Sequence, residues 1–285
     1  MNKRGRNNMT IADSNLKWLC SRILYEGSST EGEKVRPKYA DGTPSHTLFI
    51  NQAYEAFDLS KGGLPIVTLR PIAWKSGIKE ILWIYQDQSN DLDLLKDKYG
   101  ITWWDDWDVG DRTIGQRYGA TVKRYDLMNK LLDGLKNEPY GRRHIINLYQ
   151  YQDFDDSDGL YPCAMETQWS VRDEYLDMTL IQRSSDLLVA NAINKIQYVA
   201  LQMMVARHVG LKPGIFCHYV NNVHIYDRHI EQAEEILKRE PQEDGHKIRL
   251  VLNPEKTNFY DFTIEDFTLE NYNPVKPNLK FELAI

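Results

Sequence analysis

The chain has 285 residues, 42% of them hydrophobic and 11% aromatic, with 35 Lys and Arg against 41 Asp and Glu for a formal charge of −6. That apolar content can build a core and excludes a disordered chain, while the negative balance argues against a general nucleic-acid binder, which needs a basic face. No apolar run approaches the roughly 18 residues that span a bilayer, and the basic, Asn-rich residues 1–10 do not form a secretory signal, so the expected location is cytoplasmic.

Residues 1–13 read as a tail without regular structure, and 14–285 as one domain, because no Gly/Ser/Pro-rich linker divides them. Ser14 is a candidate N-cap, and Leu16, Leu19 and Ile23 after it share a helical face. The segment 47–59 is rich in aromatic and β-branched residues and reads as a strand. Trp74, Ile78, Ile81, Leu82 and Tyr85 recur at helical spacing, as do Tyr125, Met128, Leu131, Leu132 and Leu135. Strands are expected over 144–151, 164–171 and 175–183, the last two joined by a hairpin turn at Arg172-Asp173-Glu174. Leu176, Met178 and Leu180 alternate with Asp177, Thr179 and Ile181, so one face of that strand is buried. A more apolar helix carries Ile193, Ile196, Val199, Ala200, Met203 and Met204, which makes it the central one. A strand over 215–226, a helix through Ile230, Ala233, Ile236 and Leu237, and a short strand over 281–285 complete the chain. Strands in runs, with helices between only some of them, indicate an α+β fold.

Cys20, Cys163 and Cys217 are too few and too scattered for a disulfide scaffold, and no CxxC pair suggests a zinc site. Cys163 stands out by context. It follows Pro162 and the acidic stretch 153–158, and it leads into a strand. A thiol must ionise to react, which calls for a nearby cation. Arg183 lies one hairpin later, in Gln182-Arg183-Ser184-Ser185-Asp186, where the turn returns it to Cys163. The same run also fits a capped turn with Asp186 as the N-cap of the next helix. Asn194 offers both a donor and an acceptor, the pattern an imide edge requires, although Asn near a helix start is commonly a cap. His224 and Tyr226 alternate on a strand and face one side. Glu80 lies next to an apolar helix face, either as a boundary residue in an ion pair or as a buried carboxyl fit for proton transfer. Trp103, Trp104 and Trp107 are plain core or a stacking surface. Arg142 and Arg143 are solvated surface or a phosphate clamp.

Taken together these elements resemble thymidylate synthase. Pro162-Cys163, Gln182-Arg183-Ser184-Ser185-Asp186, Asn194 and His224-Ile225-Tyr226 stand in the order and spacing of that family. Further matches are Asp41-Gly42-Thr43-Pro44, Lys79-Glu80-Ile81-Leu82-Trp83, Gly115-Gln116-Arg117-Tyr118-Gly119, Arg142-Arg143-His144-Ile145 and the terminal Ala284-Ile285. The likeness runs from about residue 14 to the end and is nearest to the short form found in Bacillus and some of its phages.

The resemblance implies a single domain on a large mixed β-sheet, paired back to back in a homodimer. It implies reductive methylation of dUMP to dTMP, with 5,10-methylenetetrahydrofolate as co-substrate and no metal. Cys163 would be the nucleophile, with Glu80, Tyr118, Asn194, Arg183 and Asp186 completing the catalytic set. Arg36, Arg183, Ser184, Asn194, His224 and Tyr226 would hold dUMP, with Arg142 and Arg143 arriving from the partner subunit. Asp186, Trp104, Arg70, Leu160, Ala190, Ile193 and Ala284 would face the folate. This chain departs from the usual family pattern at Ala190 (Gly), Ala192 (Pro), Ile193 (Phe) and Asn222 (Asp). Two other outcomes share the fold: a dUMP hydroxymethylase, in which water captures the methylene, and a non-catalytic nucleotide- or RNA-binding homologue.

Overall fold

In the computed structural model, residues 9–155 and 159–285 are described; 156–158 of the acidic stretch and 1–8 of the expected tail lie outside them. Helix α1 (Ile11–Glu26) begins four residues earlier than a cap at Ser14 would set it, so residues 11–13 are not tail. Thr10, not Ser14, is the cap: its Oγ1 accepts from Asp13 N at 3.0 Å and donates to Asp13 Oδ2 at 2.8 Å. The Thr10 hydroxyl thereby satisfies one of the orphan amides of the first turn, that of Asp13. Asp13 is fully buried and also accepts from Thr68 N at 2.6 Å and Thr68 Oγ1 at 2.8 Å, tying α1 to the core. Asp13→Ala strands those donors. It should lower unfolding stability by about 1–3 kcal/mol, read from the denaturant midpoint; an unchanged midpoint refutes the tether.

The remaining elements are β1 (Ser28–Ser29), β2 (Thr47–Asp58), α2 (Trp74–Ile81), α3 (Leu92–Tyr99), α4 (Gly119–Arg124), α5 (Leu127–Asn137), β3 (Ile145–Asn147), β4 (Ala164–Arg172), β5 (Tyr175–Asp186), α6 (Asn191–His208), β6 (Lys212–Tyr226), α7 (Ile230–Lys238), β7 (Arg249–Leu252) and β8 (Phe267–Glu270). Six strands form one sheet in the order β1-β2-β6-β5-β4-β3, and β7 pairs with β8 apart from it. β5 and β6 run parallel and the other pairs of the large sheet antiparallel. Parallel neighbours need a crossover, and α6 is that crossover. It is buried on nearly every side, over an inner sheet face made by Leu176, Met178, Leu180, Phe216 and Val220. The expected α+β class, mixed sheet and central helix are all present.

Several boundaries differ from expectation. α2 continues as a wider π turn over Leu82–Gln86, closed by Asp87 N to Leu82 O at 3.0 Å. The helix expected from Tyr125 is broken there, because Asp126 is left-handed at φ 52°. β3 is only three residues long, and the chain leaves it for a 3₁₀ turn at Tyr151–Asp153. Asp186 caps no helix; it ends β5 and accepts from Leu188 N and Val189 N at 2.9 and 3.1 Å, five residues before α6 begins at Asn191. The expected strand over 281–285 does not form. Only Ile285 pairs, exchanging backbone hydrogen bonds with Lys38 at 2.7 and 2.9 Å. Among the described residues no helix is long and apolar enough to cross a membrane.

One irregularity positions the site. Along β5 and β6 the buried residues are even-numbered up to Gln182 and Val220, then odd-numbered from Ser185 and Val223. In β2 the neighbouring Gln52 is left-handed at φ 64°. This row of bulges turns the ends of the strands over. His224 and Tyr226 thereby come to the same end of the sheet as Arg183.

Candidate active site

The β4–β5 hairpin brings Cys163 and Arg183 together as the spacing requires. Arg183 N donates to Cys163 O at 3.0 Å, and Arg183 Nη2 lies 3.4 Å from Cys163 Sγ. The guanidinium is held in place by Pro162 O at 3.1 Å and Tyr161 O at 2.8 Å. A register shift at Met165, just after the cysteine, re-aims this end of β4. The thiol is not kept ionised in the free protein: burial pushes its pKa up, and Arg183 and Arg36 pull it down without cancelling that effect.

Two cavities meet beside this cysteine. The outer, about 520 Å³, is lined by Arg36, Arg183, Tyr149, Tyr161 and Ile285. The inner, about 290 Å³, is lined by Cys163, Glu80, Trp104, Tyr118, Asn194 and Ile193 among others, mostly through apolar atoms. Leu160 and Trp107 line both, so the cleft is continuous.

Glu80 reaches the inner chamber because α2 and α6 approach closely at Gly77. A Cβ there would stand 2.9 Å from Ile193 Cγ2 and 3.0 Å from Gln197 Cγ. One turn later the Glu80 carboxyl accepts from Gln197 and, at 2.5 Å, from Trp103 Nε1. Burial nonetheless raises its pKa. The Trp104 indole N–H faces the same carboxyl without hydrogen-bond geometry, and the Trp107 N–H also has no partner. The Trp107 indole N–H is thus a buried donor left over in a residue that lines the chamber, a place for a ligand that carries a ring acceptor.

Tyr118 sits in a sparsely populated conformation, φ 49° and ψ −110°, a strain tolerated where geometry matters. Its hydroxyl accepts from Cys163 N at 3.1 Å, and its ring packs edge-on against Trp104 at 5.2 Å. Its pKa is held well above 10, mainly by burial, so the phenol stays protonated. Asn194 is pinned at both ends of its amide: Oδ1 accepts from Gln182 at 3.2 Å and Nδ2 donates to Gln197 at 2.8 Å. The His224 and Tyr226 rings pack at 5.2 Å, with His224 opposite Asp186 and Asn222 opposite Ser184 in sheet register.

Residues 15–285 match the family model described as thymidylate synthase. The thymidylate synthase of Streptococcus pneumoniae strain 70585 is 56% identical over 283 residues, covering 97% of this chain and 100% of that protein. That of Streptococcus sanguinis strain SK36 is 55% identical over the same span. The chain belongs to the thymidylate synthase family. Its fold superposes on the thermostable thymidylate synthase A from Bacillus subtilis with a TM-score of 0.88 at 38% identity, covering 96% of this chain and 99% of that one.

Against that family the positions of the remaining sequence-derived residues can be stated. Trp104, Leu160, Ala190 and Ile193 line the inner chamber; Leu283 lines it too, whereas Ala284 lines neither cavity. Ser184, Asp186, His224 and Tyr226 are half-buried at the end of the sheet, outside both linings. Arg142 and Arg143 are exposed ahead of the edge strand β3 and reach neither cavity of their own chain. Arg70 is not free to meet an anion. It is 6% exposed, donates to Leu188 O and to Pro71 O at 3.2 Å, and packs over Phe281 at 5.2 Å. The sequence offers Gln182 and Trp103 only as members of longer runs and does not point to Gln197. Gln197 shares α6 with Asn194, Lys195 and Gln202, so nothing along the chain distinguishes it.

Proposed function

We propose that the cleft converts dUMP to dTMP, with 5,10-methylenetetrahydrofolate supplying the carbon and the hydride and leaving as dihydrofolate. One observation carries the reading: a cysteine fixed between a mouth lined by two arginines and a tryptophan-walled apolar chamber. The mouth suits a phosphate monoester held by Arg183, Arg36 and Ser184. The chamber suits a planar ring system beside Trp104, Ile193, Leu160 and Ala190, with the Trp107 indole N–H as a donor. Uracil C5 is a poor nucleophile. Addition of the Cys163 thiolate at C6 converts it to an enolate that can attack the one-carbon unit.

The remaining roles are assigned from the chemistry of each group and from the resemblance. Tyr118, protonated and against Cys163, orients the water that takes the C5 proton. Glu80 moves protons around O4 and the folate nitrogen, as a buried carboxyl with raised pKa can. Asn194 reads O4 and N3–H, and His224 with Tyr226 holds the deoxyribose hydroxyl. Asp186 is assigned to the pterin through the resemblance, and its carboxylate fixes Val189, which lines the chamber. Arg70 acts through the Leu188 segment it holds, and the chain end around Ala284 covers the chamber and excludes water.

A homodimer completes the site. The sheet face opposite α6 is uncovered, with Tyr54 60% and Ile145 47% exposed. A second copy packed there brings Arg142 and Arg143 to its neighbour's phosphate. The names of the relatives favour methylation over hydroxymethylation and over a non-catalytic role. The test is product mass after incubation with dUMP and methylenetetrahydrofolate: a methyl product with rising dihydrofolate absorbance supports the proposal, and a hydroxymethyl product without it overturns it. Asn194→Asp should move the kcat/KM ratio for dUMP over dCMP toward dCMP by about tenfold, since a protonated carboxyl can donate to the cytosine ring nitrogen. An unchanged ratio refutes the assignment of Asn194.

A further inference from the structure

Behind the chamber lies a line of buried side chains that the reaction leaves unused. Glu55, Lys195 and His218 are 5%, 1% and 0% exposed and line neither cavity. Lys195 Nζ donates to both Glu55 oxygens at 3.0 and 2.9 Å, and Asn15 Nδ2 donates to Oε1 at 3.0 Å. His218 Nδ1 lies 3.5 Å from Glu55 Oε2. Across the ring, His218 Nε2 is 2.5 Å from Gln182 Oε1. Gln182 then donates to Asn194, Asn194 to Gln197, and Gln197 to Glu80.

This line has a direction. A carboxamide oxygen can only accept and its nitrogen only donate, so fixing one amide fixes the next. Gln182 Oε1 faces the ring, so His218 donates from Nε2. Every later link then points the same way and ends on the Glu80 carboxyl. The reversed line needs a bare Nε2 on His218 and a protonated Glu80.

The direction matters because uracil and cytosine present opposite edges. Uracil offers N3–H and O4; cytosine offers a bare N3 and an amino group. An amide free to rotate by half a turn satisfies either. Held in one sense, it satisfies only one. We propose that His218 is a positioning residue: buried beside the Glu55–Lys195 pair, it donates from Nε2 and locks Gln182, and the locked line holds the Asn194 amide in the sense that accepts uracil and refuses cytosine. This rests on the assignment of Asn194 as reader of the base. It adds to it by explaining why an asparagine, which is symmetric in its capabilities, discriminates.

The test compares His218→Phe, Asn194→Ala and the unmodified enzyme with dUMP and dCMP as substrates. His218→Phe removes the donor at similar bulk and touches no substrate. The kcat/KM ratio for dUMP over dCMP should fall at least about tenfold, the equivalent of about 1.4 kcal/mol of lost discrimination, chiefly through a higher KM for dUMP. If Asn194→Ala collapses the ratio while folded His218→Phe keeps it within twofold, the positioning proposal fails and the reader assignment stands. If Asn194→Ala keeps the ratio, both fail. Should His218→Phe not fold, nitrogen-15 shifts of the unmodified enzyme decide: a proton on Nε2 of His218 supports the line, and a neutral ring protonated on Nδ1 overturns it.

Discussion

Cys163→Ser should form no dTMP above about a thousandth of the normal rate, while dUMP affinity stays within about threefold. The two halves of this result have different physical origins. Turnover needs an anion at residue 163. Burial already opposes ionisation of the thiol, and Arg183 at 3.4 Å with Arg36 recovers only part of that cost. A serine hydroxyl is intrinsically a far weaker acid than a thiol, so the same two cations leave it protonated. Binding draws on other groups. The Arg183 guanidinium is anchored by the carbonyls of Tyr161 and Pro162, not by the sulfur alone, so the phosphate mouth keeps its shape without the thiol. Dihydrofolate absorbance reads turnover and calorimetry reads dUMP binding. Near-normal turnover removes Cys163 as nucleophile; loss of both turnover and binding means the sulfur holds the mouth together.

Arg142→Ala and Cys163→Ser should each be inactive alone and recover about a quarter of normal activity when mixed under conditions of subunit exchange. The fraction follows from counting in a two-fold dimer. Random exchange makes about half of the dimers mixed. In each mixed dimer one site has both an intact cysteine and an intact arginine from its neighbour, and the other has neither. The reason to expect sharing is geometric. Arg142 and Arg143 are exposed at the edge of the sheet, while the mouth around Arg183 in the same chain has no contribution from them. If the arginines instead served their own chain, both sites of a mixed dimer would be defective and no activity would return.

The fold was legible where periodicity is strong and local. The alternation of Leu176, Met178 and Leu180, and the helical spacing of Ile196, Val199 and Ala200, correspond to fully buried faces of β5 and α6. It was illegible where a competing local bond decides the ending. Thr10 overrides Ser14 because its hydroxyl and Asp13 satisfy each other. Asp126, left-handed, delays the helix expected from Tyr125 until Leu127, and β7 and β8 are too short to show a pattern. The order and type of the site residues were readable as a motif set, and the pairing of Cys163 with Arg183 followed from one hairpin.

The sequence by itself determined the α+β class, the strand that presents Cys163, the cation one hairpin away, and the family to which these belong. Those features are set by short-range spacing, which a linear chain carries explicitly. Tertiary structure alone decided how the groups are tuned. Burial outweighs two arginines at the thiol, Gly77 sets Glu80 against Gln197, and Arg70 is turned inward onto Leu188. It alone aligned Glu55, Lys195 and His218 behind Asn194, from three elements far apart in the chain. The physical reason is that desolvation and the direction of a hydrogen-bonded line depend on every neighbour in space, and no spacing along the sequence encodes them.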